Sequence, residues 1–296
     1  MLYQATHTTR YLYEAPVAQC FSEARLTPRE LPHQHLHTSR IQVEPEPVHF
    51  DQRTDYFGNQ VSSFAIFRNH EKFTTTAVSV VEVNPRSVPP AAIVADSVIS
   101  WEQTRDRLAV HTDDADMAAY EYVFDSPYVA AGPEFVQFAR PTFTAGRPLA
   151  QAALELCQRI YSEFSYLPKS TSIHMPLLEI LRNKCGVCQD YTHIMIAALR
   201  SLRLPARYVS GYLRSGAQYQ GAEASHAWVS VYIPDCGWLD FDPTNNLMPA
   251  EGHVTLAWGR DFGDVSPVNG IALGGGHQTD EVEVRVQPIT TPAESR

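Results

Sequence analysis

Apolar positions over the first 85 residues follow the period of strands, and from residue 148 onward they switch between helical spacing and clean alternation. In the first part, the runs Tyr11 to Tyr13, Ile41 to Val43, Val61 to Phe67 and Thr74 to Val83 are rich in β-branched and aromatic residues and predict strands. Gly58-Asn59 between two such runs reads as a hairpin turn, and Glu44-Pro45-Glu46-Pro47 as an edge or a loop. The expectation is an all-β, sandwich-like domain over residues 1–85. Pro85 to Pro90 marks a boundary, followed over residues 86–145 by a linker and helical segment. Within it Ile99 to Val110 predicts a short helix, and Asp113-Asp114-Ala115-Asp116 caps another running through Tyr122.

The pattern sharpens in the third part, residues 146–290. Leu149, Ala152, Ala153, Leu156, Ile160 and Phe164 share a helical face, with Pro148 suited to the first helical position, and Pro176 to Arg182 predicts a shorter helix. Val187, Tyr191, Ile194, Met195, Ala198 and Leu202 line one face of a further helix that Pro205 must stop, with Gly186 letting the chain turn into it. Ala206 to Leu213 predicts a strand and Ser215 to Gly221 a polar loop. His226 to Ile233 alternates as a strand, and after the turn Pro234-Asp235-Cys236-Gly237 a partner strand runs from Trp238 to Asp242. Gly274-Gly275-Gly276 lacks the Lys-Ser/Thr of a phosphate loop and reads as a turn before a strand through Val282, Val284 and Val286. Residues 290–296 read as a frayed tail.

Composition narrows the function classes. With 23 basic and 33 acidic residues the chain carries a formal charge of −10, which argues against a nucleic-acid partner. No apolar run is long enough to span a bilayer and the start lacks a signal-peptide pattern, so a cytoplasmic protein with no membrane partner is expected. Five scattered cysteines do not form a disulfide framework, and reduced thiols are expected.

Cys188 stands at the mouth of the predicted helix, where unpaired N–H groups and the positive end of the dipole favour a thiolate. A nucleophilic thiol needs a base, and the base needs an orienting group; His226 and Asp242 are the candidates. If the hairpin loop is residues 234–236, Ile233 faces Gly237, Ser230 faces Asp240, and His226 lies diagonal to Asp242, about 7–8 Å away along the backbone and within side-chain reach. A four-residue loop would separate them onto opposite faces. Asp242 could also cap the turn before Pro243. Cys185-Gly186-Val187-Cys188 is a CxxC, but it follows a helix rather than a strand and has no second pair nearby, so redox and zinc readings are set aside, leaving open a regulatory disulfide between Cys185 and Cys188. His33, His35 and His37 alternate as strand neighbours; a metal site there is conceivable, but a solvated face is preferred. No cofactor or metal is expected.

The set Gly186-Val187-Cys188-Gln189-Asp190, Ala206-Arg207-Tyr208-Val209-Ser210-Gly211-Tyr212, Ser225-His226-Ala227-Trp228-Val229, Gly237-Trp238 and Phe241-Asp242-Pro243-Thr244-Asn245 resembles the bacterial transglutaminase-like superfamily. Asp55-Tyr56-Phe57-Gly58-Asn59 resembles part of the domain that precedes the core in the bacterial branch, and residues 259–265 resemble the segment that follows it. The resemblance implies an α+β, papain-type core in which a cysteine-bearing helix packs on an antiparallel sheet, with Cys188 as nucleophile, His226 as general acid and base and Asp242 as orienter. An oxyanion hole would use the Cys188 N–H and a second donor, for which Gln189, Tyr166 and Trp228 are open alternatives; Trp228 and Trp238 are better suited to wall the site or pack beneath it. The expected activity is a cysteine peptidase or amidase acting on a peptide or protein amide, the alternatives being glutamine acyl transfer to an amine and a non-catalytic binding module.

Overall fold

The computed structural model describes residues 1–110, 113–168, 175–216 and 219–289; the expected tail at 290–296 lies outside them. Strand β1 (Leu2–Ala24) is followed by β2 (Gln34–Glu44), β3 (His49–Thr54), β4 (Gln60–Ile66) and β5 (His70–Val83). Next come helices α1 (Pro90–Asp96), α2 (Trp101–Val110), α3 (Asp114–Tyr120), α4 (Pro133–Ala139) and α5 (Leu149–Glu163). The short strand β6 (Ser165–Tyr166), helix α6 (Leu177–Asn183), the short strand β7 (Cys185–Gly186) and helix α7 (Cys188–Ser201) lead to β8 (Ala206–Leu213), β9 (His226–Ile233) and β10 (Gly237–Phe241). The chain ends through β11 (His253–Gly259), α8 (Phe262–Val265), β12 (Val268–Gly274) and β13 (Gln278–Pro288).

The N-terminal strands form one antiparallel sheet that bends around β1. The first half of β1 pairs with β5 and β13, the second half with β4 and β12, and the register shifts between Leu12 and Val17, where Pro16 interrupts the ladder. A bend at a bulge lets the two halves face each other, which is the sandwich-like arrangement. Between them pack Val17, Cys20, Leu26, Val43, Phe64, Ile66, Phe73 and Val268. A division that gives residues 146–290 wholly to the core therefore needs correcting at its end. Residues 268–288 hydrogen-bond to β1 and belong to the N-terminal sheet, because β13 supplies an alternating valine strand for an otherwise open edge. The Gly274-Gly275-Gly276 turn joins β12 to β13 with all three residues at positive φ.

The second sheet has the order β10-β9-β8-β11, all antiparallel. Its outer strand β11 is tied to the N-terminal sheet by two side-chain amides. Gln34 accepts from Thr255 N and donates to Thr255 O, both at 2.8 Å, and Asn59 makes the same pair of bonds to Trp258 at 2.9 Å. Each amide mimics a peptide group and satisfies an edge that would otherwise lie unpaired. Asn59 sits just after Gly58, whose φ of 77° makes the predicted turn.

Helix α7 lies against β8, β9, α4, α5 and α6. The apolar stripe predicts one buried face, yet every residue from Asp190 to Arg200 is buried, because helices cover the side that the sheet does not. Arg200 is tolerated there because its guanidinium donates to the carbonyls of Ala206 and Arg260 and to Ser126 Oγ. The turn into the helix is also made differently from expectation. The positive φ, 50°, belongs to Lys184, while Gly186 is needed for space: a Cβ on it would lie 2.5 Å from Asp190 Oδ2. That carboxylate accepts from Val187 N at 2.8 Å and so caps the helix.

Candidate active site

Cys188 is the first residue of α7, where the backbone N–H has no acceptor within the helix. The preceding strand β7 pairs with β6 in parallel, matching Ser165 with Cys185 and Tyr166 with Gly186, which brings the Tyr166 side chain to the helix mouth. Cys185 and Cys188 are both free thiols, half-buried.

The hairpin of β9 and β10 has the odd register: Gly237 pairs with Ile233 and Asp240 with Ser230. His226 at the start of β9 consequently meets Asp242 just beyond β10, and Nε2 donates to Asp242 Oδ2 at 2.8 Å with both side chains wholly buried. The same Oδ2 accepts from Asn245 Nδ2 at 2.9 Å and from His253 Nε2 at 3.3 Å, while Oδ1 accepts from the backbone N–H of Thr244 at 2.9 Å and of Asn245 at 3.2 Å. Asp242 therefore both caps the turn and holds the imidazole.

These contacts set the charges. Burial alone pushes the Asp242 carboxyl up, but the charge and hydrogen bond of His226, with help from His253, hold it well below the ordinary carboxylate range. For His226 burial pulls downward and is outweighed by the Asp242 charge and hydrogen bond and by the neighbouring Cys188 thiol, so the imidazole is held well above its ordinary value. His253 goes the other way: burial lowers it, and its longer bond to Asp242 does not make up the difference. One carboxylate thus serves two histidines, and only at the first does its pull outweigh burial.

His226 Nδ1 has no conventional hydrogen bond among the described residues, although the Cys188 thiol is close enough to raise the imidazole pKa. The side toward Nδ1 is open at Gly221. A Cβ there would lie 3.1 Å from His226 Nδ1 and 3.4 Å from the Tyr166 hydroxyl, so the two polar atoms border the same small space. Burial first, and then the charges of Cys188, Tyr191, Asp242 and Asp190, keep the Tyr166 phenol protonated and able to donate. Of the donors considered alongside Cys188 N–H, Trp228 is fully buried. Its indole occupies the place where a Cβ on Gly211 would fall, 2.4 Å from the ring, and meets His253 edge-on at 5.3 Å. It packs beneath the site. Trp238 lies elsewhere, against Tyr122 and Tyr232.

Asn245 and His253 are the contributors that sequence patterns do not single out. Asn245 lies in the Phe241 to Asn245 motif but shows its purpose only once the turn is folded. His253 is a lone histidine on the opposite outer strand. His35 Nδ1 and His37 Nε2 on β2 lie 2.7 Å and 3.2 Å from the Glu30 and Glu82 carboxylates on the surface, and among the described residues no three histidine, cysteine or acidic side chains converge to hold a metal ion.

An α+β core with a cysteine at a helix mouth and a His–Asp pair on the adjoining sheet has the papain-type architecture. Residues 3–82 match the family model described as bacterial transglutaminase-like N-terminal region, and residues 136–243 match that of the transglutaminase-like superfamily. An uncharacterized protein of Mycobacterium tuberculosis (strain ATCC 25618 / H37Rv) is 33% identical over 279 residues, covering 91% of this chain and 87% of its own. Another, from Mycobacterium leprae (strain TN), is 31% identical over 290 residues, covering 96% and 97%. The chain belongs to the transglutaminase-like superfamily, in the group that carries the bacterial N-terminal region. A crystal structure described as that of a candidate cysteine protease from Cytophaga hutchinsonii shares the fold, with a TM-score of 0.76, 21% identity, and coverage of 99% of this chain and 92% of that one. Family membership supports a cysteine-dependent enzyme.

Proposed function

We propose that the protein cleaves an amide bond of a peptide or protein through a thioester at Cys188, with His226 as general acid and base and Asp242 as its orienter. The observation that carries this reading is the buried His226–Asp242 pair, one imidazole nitrogen held by the carboxylate and the other turned toward the opening beside the helix-mouth thiol. His226 takes the thiol proton, and the raised basicity that Asp242 gives it favours the resulting imidazolium. The thiolate attacks the amide carbonyl, and the negative charge on oxygen falls where the Cys188 N–H and the Tyr166 hydroxyl can donate. His226 then protonates the departing amine as the carbon–nitrogen bond breaks. A water molecule, deprotonated by the same imidazole, hydrolyses the thioester and returns the free thiol.

Transfer of the acyl group to a primary amine is the second reading, since it shares every step up to the thioester and the family contains proteins of both kinds. Incubation with a glutamine-containing peptide library, with and without excess primary amine, separates the two by mass spectrometry. Free acid in both arms supports hydrolysis, and an amine adduct supports transfer. No adduct on Cys188 in acid-quenched samples, with no product in either arm, would exclude both and leave a binding module.

A further inference from the structure

A cavity of about 410 Å³ opens where the N-terminal sheet meets the second sheet, and neither Cys188, His226 nor Asp242 lines it. Its most unusual wall is Arg207. This side chain retains only 9% of its exposure, and its guanidinium lies 3.8 Å from the Trp258 ring centre and 4.2 Å from that of Trp238. Arg29 lies 3.5 Å from the Trp258 centre as well, and two cations so near one ring must take opposite faces. Stacking thus satisfies the flat faces of the Arg207 guanidinium and says nothing of its N–H edge. Nε, although buried, has no acceptor among the described residues.

The surrounding charges do not cancel it. Asp240, the acidic residue lining the cavity, is bound at 2.6 Å by Arg86. Arg29, which does not line the cavity, donates to Phe57 O and Asn59 Oδ1 and lies in the field of Asp55. Among the lining residues Arg86 and Arg207 face the single carboxylate of Asp240, so one positive charge remains over, on a planar fork stacked against two rings. That matches a carboxylate, which takes two parallel N–H bonds from such a fork and carries a single negative charge; a doubly charged phosphate would be opposed by Asp240. Leu31, Pro32, Pro85 and Val209 supply apolar wall, and the volume suits an organic body rather than a bare ion.

We propose that this cavity is a second ligand site, taking a carboxylate attached to a small apolar body, with Arg207 as its anchor. The site is independent of the chemistry at Cys188. The test uses the full chain with Cys188→Ala, so that nothing bound at the thiol contributes, and 3-phenylpropionate as the probe, followed by tryptophan fluorescence and thermal shift. Saturable binding is expected, with 3-phenylpropionamide and inorganic phosphate each about tenfold weaker or worse, because neither offers a planar monoanion to the fork. Arg207→Lys is expected to weaken 3-phenylpropionate about tenfold while keeping the charge. Ser87→Trp, at an exposed position on the rim, is expected to block the cavity without disturbing the stack, and it decides the matter if Arg207→Lys does not fold. Absence of saturable binding, equal affinity for the amide, or binding that survives Ser87→Trp would each overturn the proposal.

Discussion

Asp242 Oδ2 lies 2.8 Å from His226 Nε2 with neither side chain open to solvent, and the remaining bonds to that carboxylate come from its own turn and from His253. The imidazole can therefore hold its tautomer and its proton without help from water. Asp242→Asn keeps the shape but removes the charge. Activity in kcat/KM is expected to fall by about 10²- to 10⁴-fold. The His226 pKa should drop, because burial would then act unopposed by the carboxylate. Imidazole titration by NMR reads that drop directly; an unchanged His226 pKa would show that the pair does not govern its charge.

His253 is a positioning residue in this arrangement. Replacing it with Ala removes one donor from Asp242 and leaves space beside Trp228, so a stability loss of about 1–3 kcal/mol is expected in urea denaturation. If its role is to hold Asp242, His253→Asn should restore part of kcat with KM unchanged, whereas a purely structural role would leave kcat per folded molecule untouched in both variants.

The entry to α7 predicts a coupled pair. Gly186→Ala would push a methyl group into the Asp190 carboxylate, with an expected cost of about 1–3 kcal/mol, and should displace the helix mouth and lower activity. Asp190→Ala removes the cap on Val187 N and is expected to cost about 1 kcal/mol. The two costs should not add, since without the carboxylate the methyl group has room. Strict additivity in a double-mutant cycle would contradict the geometry.

Stability should pass through a maximum near neutral pH. Burial lowers His7 to about 4 and His193 to about 3, and lowers His253 as well. The unfolded chain binds protons on these groups from about pH 6.5 downward while the folded one does not. Each therefore removes about 1.4 kcal/mol per pH unit as the pH falls below that value, until its own folded pKa is reached. His226 acts in the opposite direction: its raised pKa stabilises fully below about 6.5, and that contribution is lost as pH rises through its folded value. Asp242 adds stability above the ordinary carboxylate range that is lost in stronger acid. Urea titrations from pH 4 to 9 should show a steep acid limb and a shallower alkaline one; a flat acid limb would mean that the buried histidines are accessible to protons when folded.

The legible parts of the molecule were those specified locally. The strand bearing His226, the strand that ends just before Asp242 and their odd register follow from alternation and a three-residue loop, which is why the two side chains meet as the spacing predicts. The helix of Cys188 was legible from its spacing, but its burial on all sides was not, because the helices that cover it are distant in sequence. β1 is far longer than its Tyr11 to Tyr13 signal, since the strand bends between Leu12 and Val17 and continues instead of ending there. Strands β3 and β11 carry no alternating signal: β3 is exposed throughout, and β11 is buried at every residue but the half-buried Trp258, so neither alternates as a half-buried strand does. His253 belongs to β11, and nothing near it in sequence points toward Asp242.

The pairing of β1 with β12 and β13 makes the Cys188 region an insertion between two parts of one sheet. During synthesis β1 must wait for more than 240 residues before β12 can join it, so the clasp closes after the inserted segment has been made. Excising residues 146–267 as a minimal enzyme would strip β11 of the amides of Gln34 and Asn59 and expose its edge to other chains. The β domain is thus a fastener whose two parts are made before and after the segment with the thiol, and that segment is what they enclose.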